Sequence, residues 1–253
     1  MTAFAVSLLT FVCCCASAAA GVALRILLPD HHLDSESKDV MKSVMGIIAT
    51  LAALVLGLLI ASSKSAYDTQ SNELQQLSAS VVQLDRMLAS YGPETRETRA
   101  MLKASVIDVH RRIWPENENQ AANLDPSVTQ AEATLFYTNL QNLSPKTEAQ
   151  RHAQSAALQL LPTIAQTRML MFEQVAGTIS WPLLEVLISW VIMLFLGFGM
   201  LARPHATIAV TMMIGAFSVA SAVFLIVELS QPYQGWIRIP DDSIRFVLTH
   251  IGR

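Results

Sequence analysis

Charge is what this chain lacks most: of its 253 residues only 15% are Asp, Glu, Lys or Arg, against 52% apolar. An ordinary soluble domain of this length needs far more polar surface, so part of the chain must meet lipid. Cysteine is almost missing too. The three present, Cys13, Cys14 and Cys15, are consecutive inside an apolar run, where neighbouring helical side chains diverge and have no pairing geometry. A disulfide framework and a cysteine zinc site are thereby excluded. There is no basic excess, since the formal net charge is −3, and nucleic acid is not expected as a partner. The sequence has no Gly-rich phosphate loop, no Gly-x-Ser-x-Gly elbow and no His-Glu-x-x-His. His110, His152, His205 and His250 stand singly in polar or terminal segments, so neither an enzyme nor a cofactor is expected.

The charges that exist are segregated. Residues 64–173 are as polar as a soluble protein, whereas long windows elsewhere are nearly uncharged. A hydrocarbon core of about 30 Å takes about 20 helical residues to cross, and four windows reach that length: 4–28, 44–62, 180–201 and 207–227. The first contains one charge, Arg25, placed where a long side chain can snorkel to the headgroups. A cleavable signal peptide is the alternative for this window, given Ala18, Ala19 and Ala20. A retained helix is favoured because residues 1–10 carry no Lys or Arg and the apolar run continues beyond the alanines. Ser180 and Pro182 predict the start of the third span. Short connections at 29–41 and 202–206 make each pair of spans an antiparallel hairpin.

Between the hairpins the pattern is helical. Leu74, Leu77, Val81, Leu84 and Leu88 continue the second span at steps of three and four, predicting one long helix that leaves the membrane and ends at Gly92 and Pro93. Leu102, Val106, Val109 and Ile113 mark another, stopping at Trp114 and Pro115. Asp125 with Pro126, and Ser144 with Pro145, predict two further starts, and Pro162 is expected to kink the last helix. The expected architecture is an all-α membrane protein with four transmembrane helices and a cytosolic helical domain inserted between the second and third. Its parts are a first hairpin at 1–62, the polar helical domain at 63–178, a second hairpin at 179–230, and a tail with a short helix at 231–253.

The segments VLGLLIASSKSAYD (55–68), RIWP (112–115) and above all ELSQPYQGWIRIPDDSIRFVLTHIG (228–252) resemble the bacterial bestrophin-like domain family. The likeness covers nearly the whole chain from the second span onward, and the C-terminal segment is its most specific part. It implies a distant relation to bestrophins, which are pentameric anion channels with four membrane helices per subunit, a pore lined by the second, and both termini in the cytoplasm. The second span lacks the bulky aromatic constriction of true bestrophins, and no acidic calcium clasp stands out. Charge leaves the orientation nearly tied, with Lys64, Arg168, Arg238, Arg245 and Arg253 on the polar-domain side and Arg25, Lys38, Lys42 and Arg203 on the other. A bacterial inner membrane with a cytoplasmic polar domain follows from the resemblance, as do a homo-oligomer, a pentamer by family, and anions as partners beside the lipid bilayer.

Within the second span, Gly46, Thr50, Ala53, Gly57, Ala61 and Lys64 fall on one stripe of small or polar residues, with Asp68 beyond, while Ile47, Leu51, Leu54 and Leu58 form a bulky one. A small stripe suits a pore wall; it equally suits close helix packing in lipid. Lys64, Glu185 and Glu228 are expected at one membrane face, either as a charged ring around an axis or as interfacial salt bridges. Asp30, His31, His32 and Asp34 are metal-capable but expected to be solvated. Asp241 and Asp242, after Pro240, are expected to cap a short helix rather than bind a cation, and Gly235 to permit a turn. The competing functional class is a membrane-anchored scaffold that binds a partner without conducting.

Overall fold

The computed structural model describes residues 2–27, 34–115, 122–176, 180–202 and 205–252. Among them there is no strand. The helices are α1 (Ala3–Leu27), α2 (Ser35–Tyr91), α3 (Arg96–Ile113), α4 (Gln130–Gln141), α5 (Glu148–Ala176), α6 (Trp181–Leu201), α7 (Ala206–Leu229) and α8 (Asp242–His250), with 3-10 turns at Pro93–Thr95 and Pro126–Thr129. Of these, α1, α2, α6 and α7 are long and apolar enough to cross a membrane. As expected, α2 runs unbroken for 57 residues and stops at Gly92, whose φ of 129° lies in a region open to glycine.

The chain divides into two units: Met1–Ser65 with Thr178–Ser230, and Ala66–Gly177 with Gln231–Arg253. In the first unit, α1 packs against α6 and α7. Its buried residues, Ala3, Val6, Thr10, Cys14, Ser17, Ala18 and Gly21, form a stripe of mostly small side chains. Lipid tails are as apolar as leucine, so helices associate here through close approach and backbone satisfaction rather than water exclusion. The approach is tightest at Gly21 and Gly199. A Cβ on Gly21 would run into the Leu196 carbonyl oxygen and lie 3.0 Å from Gly199 Cα; a Cβ on Gly199 would run into the Ala18 carbonyl oxygen. The buried hydroxyls bond within their own helix, Thr10 to Val6 O and Ser17 to Cys14 O.

Two local expectations for this unit need correction. Arg25 is not directed to headgroups but donates from Nη1 to the carbonyls of Leu201 (2.9 Å) and Ala202 (2.6 Å), satisfying the exposed end of α6. That contact, with the Gly21–Gly199 crossing, makes α1 and α6 parallel neighbours. Ser180 occupies the N-cap position of α6, but its side chain makes no cap bond; its carbonyl accepts from Leu183 and Leu184 instead.

The second unit is a helical domain around Leu74, Leu77, Val81, Leu84 and Leu88 of α2, with Leu102, Val106 and Ile113 of α3, Leu140 of α4, and Ala157 and Met171 of α5. Fully burying a leucine such as Leu74, Leu84 or Leu88 contributes about 1.5–3 kcal/mol. The same core takes in Tyr233, Ile239, Ile244, Val247 and Ile251 of the C-terminal segment. Asp125 accepts from Ser127 N at 2.8 Å and opens a 3-10 turn before α4. Ser144 does not start α5. Thr147 does, because Thr147 Oγ1 accepts from Gln150 N (3.2 Å) while Gln150 Oε1 accepts from Thr147 N (3.3 Å), the reciprocal capping box. Helix α5 continues through Pro162.

Candidate functional site

Helix α2 shows three faces within the first unit. Met45, Ala52 and Leu59 are buried in its core, Met45 against Gly197 of α6, and Ser63 lies 3.3 Å from the Ser230 hydroxyl at the end of α7. Ile47, Leu51, Leu54 and Leu58 are exposed. Gly46, Thr50, Ala53, Gly57, Ala61 and Lys64 are also exposed, on a separate stripe about a quarter turn away at 100° per residue. Nothing lies within 4 Å of where a Cβ would stand at Gly46 or Gly57. Packing against this chain's own helices therefore does not account for the small stripe. Only 17% of α2's apolar window is buried, against 28–33% in the other three spans, which leaves it the most uncovered.

The polar groups on that helix are constrained. Thr50 Oγ1 donates to Gly46 O at 2.9 Å, so the hydroxyl turns an acceptor outward. Lys64 is exposed, Glu185 is exposed in the first turns of α6, and Glu228 is buried in the last turn of α7. Lys64 and Glu228 are close in sequence to Ser63 and Ser230, whose hydroxyls meet, and so belong to one end of the first unit.

In the second unit two of the segments that carry the family resemblance converge, RIWP and the C-terminal one. Trp114 Nε1 donates to Ile239 O at 3.0 Å, and the Trp114 ring stacks on His110 and meets Tyr233 edge-on. Tyr233 OH donates to Gln70 Oε1 (2.9 Å), and buried Gln70 donates in turn to Met171 O (3.2 Å) and Gln174 Oε1 (3.0 Å). Gln174 closes the network on Glu73 (2.8 Å). Burial, and then the charge of Glu73, push the Tyr233 phenol well above its ordinary range, keeping it a donor. Gly235 turns the segment at a φ of 79°, as its position suggested. Neither Gln70 nor Gln174 stood out in the sequence, where a glutamine on a polar helix carries no signal of burial.

Asp241 stands at the N-cap of α8 but its side chain does not cap it. The carboxylate faces His110 Nε2 (2.8 Å) and Arg245 Nε (2.6 Å) instead. Burial alone would raise its pKa; hydrogen bonds from His110 and Arg245 outweigh burial and hold it below the usual carboxylate range. A depressed folded-state pKa means stability that is full above the unfolded value of about 3.9 and lost as pH falls through the folded one. Asp241→Asn is expected to destabilise the protein by about 1–2 kcal/mol at pH 7, discounted because Arg245 is exposed. In thermal-shift measurements that difference should shrink as pH drops below about 4.

Asp30, His31 and His32 lie outside the described residues. Asp34 caps α2, its Oδ1 accepting from Ser37 N at 2.8 Å, and that serine's hydrogen bonds hold its carboxyl below the usual range. No cluster of three metal-capable side chains occurs among the described residues.

Four apolar helices in one unit and a soluble-type helical core in the other define a polytopic all-helical membrane protein. Residues 10–244 match the Bestrophin-like domain family, and the chain belongs to that family. The match begins within α1, upstream of the segments that first suggested it. Two crystal structures of a bacterial bestrophin homolog from Klebsiella pneumoniae, each with one substitution, share the fold. One aligns at a TM-score of 0.65 and 13% identity over 92% of this chain and 96% of that one; the other at 0.68 and 13% over 96% of each. A further crystal structure, described as a membrane protein, aligns at 0.67 and 12% over 96% of each chain. No curated protein matches the sequence.

Proposed function

We propose that this chain is the subunit of a homo-oligomeric anion channel, with α2 lining the axis through Gly46, Thr50, Ala53, Gly57, Ala61 and Lys64. The observation that carries the proposal is the bare small stripe on α2, with open space at Gly46 and Gly57. A surface of small side chains and one cation beside a separate lipid-type stripe suits a wall facing water or a symmetry mate. Membership of a bestrophin-like family supports a pentamer, a bacterial plasma-membrane location and a cytoplasmic second unit.

Lys64 supplies the cationic end of the stripe, and Glu185 and Glu228 supply carboxylates to the first unit. Rings of such charges select ions by raising or lowering their local concentration. In liposomes, chloride efflux through the wild type is expected to exceed that of empty vesicles, and Lys64→Glu to reduce it on the order of tenfold, with a reversal potential shifted toward cations. Gly57→Trp should block flux while leaving the oligomer intact. Absence of flux for chloride, nitrate and larger anions at several pH values would overturn conduction and leave the stripe as a subunit contact of a membrane-anchored scaffold.

A further inference from the structure

Within the second unit, α2, α3, α4, α5 and α8 line a cleft of about 840 Å³ that opens to the surface beside Ala133, Tyr137 and Ala165. Its wall is mostly carbon, from residues such as Leu77, Val81, Leu84, Phe136, Ile164 and Val247. Volumes of about 300–1,000 Å³ with apolar walls and a few polar groups characterise small-molecule sites. A small cavity of about 30 Å³ shares Leu77, Val109 and Arg168 with the cleft, and is completed on its polar side by Arg112, Asn123 and Asp125. Arg168 thus stands on the wall common to both spaces.

The two arginines are poorly matched by the protein. Arg112 Nη2 pairs with the half-exposed Asp108 carboxylate at 2.7 Å, but its Nε is buried and meets no acceptor. Arg168 donates to the neutral hydroxyl of buried Thr129. Burial disfavours its charge and Arg112 repels it, with only partial relief from Glu132. Asp125 has one oxygen committed to Ser127 N. The buried Arg112 Nε without an acceptor is costly, and an anion beside it and Arg168 would satisfy the one and relieve the repulsion between the two. The small cavity admits about two water-sized atoms at 10–15 Å³ each, the size of a carboxylate's two oxygens and less than the three outer oxygens of a phosphate monoester.

We propose that the second unit binds one long-chain aliphatic carboxylate, its chain in the large apolar cleft and its head between Arg112 and Arg168. The site does not depend on whether α2 lines a conducting pore. Binding of radiolabelled palmitate to the full-length protein in phosphatidylcholine nanodiscs tests it, with empty nanodiscs subtracted. Saturable binding of one palmitate per chain is expected, with methyl palmitate competing at least tenfold less well. Arg168→Met should weaken palmitate at least tenfold and abolish the preference for acid over ester, Arg168→Lys should restore part of it, and Ala165→Trp in the cleft wall should abolish both. No saturable binding, equal competition by the ester, or stronger competition by hexadecyl phosphate would overturn the proposal, and none of the three needs a variant. An oligomer structure with the cleft filled by side chains of a second copy would overturn it too.

Discussion

Gly21→Leu is expected to eliminate the monodisperse peak of the detergent-extracted protein, and Gly199→Leu to do the same. Even a single methyl at Gly21 meets main-chain atoms of α6, the Leu196 carbonyl and Gly199 Cα, and a backbone cannot swing aside as a side chain can. Helices α1 and α6 would have to separate, disrupting the contacts of Cys14, Ala18 and Leu194 in the same core. Overpacking by a methyl or two costs about 1–3 kcal/mol when side chains can yield; here the loss should be larger, because the whole crossing opens. Gly46→Ala and Gly57→Ala are the controls. With nothing within 4 Å of either site, alanine should be neutral or stabilising by up to about 1 kcal/mol through helix propensity. Equal thermal stability of Gly21→Leu and Gly57→Ala by fluorescence-detected size exclusion would refute the close crossing.

Asp85→Asn should be the most damaging single exchange in the second unit. Asp85 is 4% exposed and holds Arg99 through two bonds of 2.8 and 2.9 Å, a bidentate pair. It also accepts from Gly252 N at 3.3 Å. Removing the carboxylate charge takes from the largely buried Arg99 guanidinium its bidentate partner, a loss of about 3–5 kcal/mol. Replacing both, Asp85→Leu with Arg99→Met, should recover most of that, since the desolvation of both charges disappears together. The experiment is a double-mutant cycle on thermal unfolding. Hydrogen exchange at 247–252 should rise in Asp85→Asn and fall back in the double variant; a single variant as stable as the wild type would remove Asp85 as an anchor.

What could be read from the sequence was what depends on nearest neighbours along a helix. The three-and-four spacing of Leu74, Leu77, Val81, Leu84 and Leu88 suffices for an uninterrupted α2, because the same periodicity that exposes one face buries the other. Gly92 and Trp114 end their helices for local reasons. The target of Arg25 was not legible, since its acceptors lie 176 and 177 residues away. Nor was the Gln70–Tyr233 pair, separated by 163 residues, for which the sequence offers only two ordinary polar side chains. At Thr147 the Thr-x-x-Gln signature was present, yet Ser144 beside Pro145 is the more familiar start, and only the reciprocal bonds distinguish them. The stripe from Gly46 to Lys64 was visible as a pattern; its nakedness was not, because periodicity cannot say what a face meets. The cleft and the small cavity were wholly invisible, being a property of how five helices fail to fill space.

Tyr233, Ile239, Ile244, Val247 and Ile251 belong to the same core as Leu74 and Leu102, and that has a consequence during synthesis. The portion made first, 66–177, leaves the ribosome without the wedge that completes it, and two membrane segments must be threaded into lipid before that wedge exists. Until then the part of the core that those residues cover lies open, a window in which nascent chains aggregate. Completion of this core is therefore expected to follow insertion of the second hairpin, timed by the arrival of residues 231–252.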